Sequence, residues 1–147
     1  MKNSYTLKQV LVVTGGILSV LLGVFHLMFW KIFGWETELL KLSTTNSNIL
    51  QILTIGCSFL LLAFGYMLIF MRRDIATTRT GSALLLTLAL FYAIRLVLEL
   101  VLPGGSIGFA LVMVVFILVY LLPLFAGTSG AKRQTGAAHS RLVGSEI

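Results

Sequence analysis

The chain has 147 residues, 58% of them hydrophobic and 11% charged, with a formal net charge of +6. Soluble domains carry about 25% charged residues, and eleven basic and five acidic side chains cannot cover a water-facing surface of this size. A soluble enzyme, a DNA-binding module and a disordered regulator are therefore excluded, and the principal partner is a lipid bilayer. The basic excess reads as the cytoplasmic flanks of membrane spans. It does not read as a nucleic-acid footprint, because no soluble stretch interleaves basic and aromatic residues.

Four apolar runs follow in order, at residues 10–30, 49–71, 81–102 and 107–126. Each has roughly the 20 residues that a helix needs to cross about 30 Å of hydrocarbon. Lipid tolerates no unpaired backbone, and continuous apolar runs without alternation select helices over a barrel. The expected fold is all-α: a four-helix transmembrane bundle over residues 1–126, with a basic, disordered cytoplasmic tail at 127–147. Lys2 and Lys8 precede the first run in the manner of a signal peptide. No alanine occurs before Ala63 to supply a cleavage site, so the run is kept as a span.

The basic residues orient the spans. Lys2, Lys8, Arg72, Arg73, Arg79, Lys132, Arg133 and Arg141 fall on one side, and only Lys31 and Lys41 on the other. Both termini are thus expected in the cytoplasm of a bacterial inner membrane. In the loop at 31–48, Phe33, Trp35, Leu39, Leu40 and Leu42 mix with Glu36, Glu38 and Lys41, the pattern of a short interfacial helix. Trp30 and Trp35 suit an aromatic belt, as Tyr66 and Tyr120 do at the inner ends of their spans. The polar residues 44–48 offer N-caps for the second span. Pro123 falls where it would kink or end the fourth.

GxGxxG, P-loop, HExxH and CxxC patterns are absent, so nucleotide and standard zinc sites have no support. The single cysteine, Cys57, lies in an apolar run and reads as a buried thiol. Three ionisable residues remain inside the spans: His26, Arg95 and Glu99. Such groups are costly in lipid and point to function unless they are paired. With alternating spans, all three lie near the outer surface, as does Gln51 at the entrance of the second span. Tyr92, Arg95 and Glu99 are spaced i, i+3, i+7 and share a helix face, which Gly81, Leu85 and Leu88 continue inward. Gln51, Ser58 and Gly65 follow heptad spacing. Gly15, Ser19 and Gly23 form a small-residue ridge suited to close helix packing, and His26 continues it.

Two readings follow. In one, His26, Gln51, Tyr92, Arg95 and Glu99 form an outward-opening polar pocket, with His26 accepting a proton or ligand and Arg95 anchoring an anionic group. In the other, Arg95 and Glu99 neutralise each other and His26 bonds a backbone carbonyl or Glu36. One His and one or two carboxylates are too few to hold a metal, and the second His, His139, sits in the tail, which disfavours haem.

The segment GVFHLMFWKIFGW at residues 23–35, with Leu39 to Leu42 and Asn48 to Gln51, resembles a pattern in small bacterial four-helix membrane proteins. The layout resembles DoxX-like proteins in architecture, which implies partnership with redox enzymes. Three functions are carried forward. The leading one is binding of a small ligand or membrane partner through the outer pocket. The second is a redox or quinone-linked enzyme or accessory subunit using His26 and Glu99 for proton transfer. The third is a structural subunit of a homo-oligomer or larger complex, packed through the Gly15–Ser19–Gly23 ridge. No cofactor is specified by the sequence.

Overall fold

The computed structural model describes residues 2–126; the tail expected to be disordered lies outside the described residues. The described chain is all-α. In order, the elements are α1 (Lys2–Leu27), α2 (Phe29–Ile32), α3 (Trp35–Glu38), a 3-10 turn (Leu39–Lys41), α4 (Thr44–Phe70), α5 (Arg72–Thr77), α6 (Arg79–Val101) and α7 (Ile107–Phe125). Helices α1, α4, α6 and α7 are long and apolar enough to cross a membrane. No more than 28% of any span's most apolar window is buried within the chain. Side chains such as Phe59 (69% exposed) and Val101 (72%) therefore need lipid around them, which makes this a multi-pass membrane protein.

Several helix limits lie beyond the apolar runs. The second span begins at Thr44 rather than at residue 49, because Ser43 caps it: its Oγ accepts the Asn46 N–H at 3.3 Å. The cap thus sits just before the polar stretch 44–48, which is itself helical. Thr78 does the same for α6, its Oγ1 accepting the Gly81 N–H at 3.0 Å. The connection after α4 folds into the short helix α5, which hydropathy did not announce. In the first loop the expected single helix is split into α2 and α3 by Gly34, whose φ of +58° is a left-handed conformation natural to glycine.

Packing divides the described chain into two compact groups, one spanning residues 13–71 and the other combining residues 2–12 with residues 72–126. In the first group, α1 and α4 approach closely enough to exclude a β-carbon at their seam. A Cβ on Gly65 would lie 2.5 Å from Val20 Cγ2 and 2.9 Å from the Gly16 carbonyl oxygen. A Cβ on Gly23 would lie 3.0 Å from Leu62 Cγ and 3.2 Å from the Ser58 carbonyl oxygen. Ser19 and Ser58 are each 1% exposed. Small residues let the backbones meet where lipid supplies no hydrophobic drive between helices.

In the second group, α6 buries Gly81, Leu85, Leu88, Ala89 and Tyr92, and α7 buries Ala110, Met113, Phe116 and Tyr120. Tyr92 stacks on Phe116 (centroids 4.4 Å apart, planes 22°) and on Tyr120 (5.7 Å, 19°). Tyr120 is thus no interfacial anchor: it is fully buried, because the α6–α7 seam offers aromatic partners that an interface does not. Tyr66, by contrast, is 60% exposed. Pro123 lies inside the last turn of α7, where it lacks the N–H that the Val119 carbonyl would accept.

Candidate functional site

Within the 13–71 group, the end of α1, the first loop and the first half of α4 line a half-open cavity of about 200 Å³. From α1 and the start of the loop come His26, Leu27, Phe29 and Trp30; α3 contributes Trp35. From α4 come Gln51, Thr54, Ile55 and Ser58. Gln51, Thr54 and Ser58 are spaced i, i+3, i+7, so one helix face presents all three. At 1.5 Å per residue, Ser58 lies about 21 Å along the helix from Thr44, so the cavity reaches well into the span.

The polar groups here are held by their own helices. His26 Nδ1 lies 2.9 Å from the Leu22 carbonyl oxygen. A carbonyl only accepts, so Nδ1 carries the hydrogen of this bond. The imidazole stacks on Phe29 (4.5 Å, 24°). The Gln51 amide N–H groups donate to the Ser47 carbonyl at 3.3 Å and to Ser47 Oγ at 3.2 Å, which turns Oε1 the other way. Ser58 Oγ donates to the Thr54 carbonyl at 2.8 Å. Trp30 Nε1 donates to Glu36 Oε1 at 3.4 Å, tying the loop across α2 and α3. Phe29 and Trp35 meet edge to face at 6.0 Å, and Trp30 and Trp35 at 6.5 Å.

The other predicted residues belong to the second group. Arg95 and Glu99 form an ion pair, with Nη1 and Oε2 2.7 Å apart. The second carboxylate oxygen, Oε1, accepts the Ser106 N–H at 2.8 Å. Ser106 is the N-cap of α7 and its own side chain makes no capping bond, so Glu99 supplies a capping carboxylate from the preceding helix. The turn Pro103-Gly104-Gly105 brings Ser106 back to α6, with Gly104 at φ +90°. Arg95 remains 46% exposed while the Glu99 side chain is 7% exposed. Tyr92, expected beside them on the same stripe, is buried against α7.

The structure therefore gathers His26 and Gln51 into one cavity, and Arg95 and Glu99 into one helix–turn corner. Thr54 as a lining residue went unremarked in the sequence, although its i+3 spacing from Gln51 was readable. Trp30 and Trp35, which the sequence suggests for an aromatic belt, also line the cavity. Cys57, expected to be buried, is half-buried on α4. Among the described residues, no group of three or more His, Cys, Asp or Glu side chains is placed to hold a metal. No family model, curated protein or solved structure matches this chain.

Proposed function

We propose that the protein binds a small amphipathic ligand in a bacterial inner membrane, through the cavity between the end of α1 and the first half of α4. Both termini are cytoplasmic and the cavity opens on the opposite face. The observation that carries this reading is the convergence of His26 and Gln51, from separate helices, on one cavity walled by the indoles of Trp30 and Trp35. Small-molecule sites form between helices, with apolar and aromatic walls and a few placed polar groups. Drug-sized ligands occupy roughly 300–1,000 Å³, so a cavity of about 200 Å³ suits one ring or headgroup whose tail remains in lipid.

The asymmetry of Lys and Arg supports the orientation, with Arg72 and Arg73 of α5 both exposed beside the end of α4. In this reading Arg95 and Glu99 belong to the scaffold, since both carboxylate oxygens of Glu99 are engaged. Gly23 and Ser19 are already buried within the chain, which supports a ligand role for the protein over docking through that ridge.

Native mass spectrometry of the purified chain tests the proposal. The wild type should retain a small molecule, and Thr54→Leu, which fills the cavity, should lose it. Retention of the same mass by Thr54→Leu would contradict the site. Topology is tested in a Cys57→Ser background: an impermeant maleimide should label Thr37→Cys in intact cells and Thr77→Cys only after permeabilisation. The reverse pattern would overturn the orientation.

A further inference from the structure

Hydrogen-bond donors at this cavity are largely engaged within the chain. The His26 Nδ1–H, the Gln51 amide hydrogens, the Ser58 hydroxyl and the Trp30 indole N–H all have partners on neighbouring turns. Gln51 Oε1 accepts no hydrogen bond among the described residues, and the Thr54 hydroxyl makes none. Thr54 and the Trp35 indole are the remaining donors. None of the lining residues is Lys, Arg, Asp or Glu.

We propose that the cavity takes the aryl hydroxyl group of a neutral, membrane-dissolved amphipath, in preference to its ether or carbonyl counterpart. This rests on the ligand-binding reading above. A hydroxyl both donates and accepts, so it satisfies Gln51 Oε1 while receiving a hydrogen from Thr54 or Trp35. An ether or a carbonyl only accepts, and it leaves the Gln51 oxygen desolvated without a donor. Sites built to bond a hydroxyl reject the analogue that lacks it for this reason. A ring is the fitting body, since a cavity of about 150 Å³ admits benzene and this one is about 200 Å³ with aromatic walls. A quaternary ammonium is the rival occupant for aromatic walls. Here one face of Phe29 is taken by the His26 ring, stacked at 4.5 Å and 24°, and no carboxylate lines the cavity to balance a cation.

The two tryptophans that line the cavity are the only two in the chain, so intrinsic fluorescence reads this site alone. The full chain in phosphatidylcholine nanodiscs is titrated with 4-octylphenol, 4-octylanisole and octyltrimethylammonium, exciting where phenols do not absorb and expressing concentration per lipid. The phenol should change the emission saturably, and the anisole should need about tenfold more, the worth of one well-placed hydrogen bond. Gln51→Met should bring that ratio close to one, and Thr54→Val should reduce it should the Gln51 variant not fold. Equal affinity for phenol and anisole, an unchanged ratio in folded Gln51→Met, or tighter binding of the ammonium would overturn the hydroxyl preference while leaving a ligand cavity. No saturation by any probe would overturn both the preference and the cavity reading beneath it.

Discussion

The Arg95–Glu99 corner and the His26–Gln51 cavity start from the same difficulty, a polar side chain in an apolar helix, and resolve it differently. Glu99 uses one oxygen on Arg95 and the other on the Ser106 N–H, so its bonding is complete within one helix and the turn that follows. His26, Gln51 and Ser58 each bond back to their own helix four residues earlier, which fixes their direction and leaves Gln51 Oε1 as an acceptor at the cavity. An ionisable group in a span marks a site by default. The comparison sharpens that rule: what counts is whether neighbours consume its bonding capacity.

Five substitutions break or sharpen the contrast, the largest effect on stability first. Glu99→Ala removes the capping acceptor of α7 and leaves Arg95 without its counter-ion. It should lower unfolding stability by about 3 kcal/mol, read by thermal unfolding in detergent. Arg95→Ala should cost less, about 2 kcal/mol: it strips the Glu99 side chain, 7% exposed, of its counter-ion, while the Ser106 N–H still bonds it. Equal losses would show that the ion pair, not the turn contact, holds the corner. Gly65→Val should cost about 2 kcal/mol by overpacking the α1–α4 seam, and unlike the Glu99 change it should also disturb ligand retention, since Ser58 lies two turns along the same helix. Thr78→Ala removes the α6 cap and should cost about 1 kcal/mol, with ligand retention unchanged. His26→Gln keeps most of the volume and should alter stability by less than about 1 kcal/mol while abolishing retention.

The spans were legible because 20-residue apolar runs have few alternatives in lipid. Their ends were not, because hydropathy reports where the lipid-compatible residues stop, whereas Ser43 and Thr78 decide where the hydrogen-bond ladder starts. The shared level of His26 and Gln51 could be read from span polarity. Their meeting with Trp30 and Trp35 depends on Gly34 folding the loop back in two short helices, a conformation no periodicity encodes. The Glu99–Ser106 bond joins residues seven apart across a turn, so helix-face reasoning found Arg95 as a partner of Glu99 and missed the backbone. Tyr120 looked interfacial by position, and only the stacking with Tyr92 and Phe116 shows it to be core.

The most direct test of the central claim sets one variant from each region side by side in native mass spectrometry, with circular dichroism confirming that both are helical. Arg95→Ala, at the structural corner, should retain the small molecule that the wild type carries. His26→Gln, at the cavity, should lose it. Retention by His26→Gln together with loss from folded Arg95→Ala would contradict the account and move the binding site to the corner.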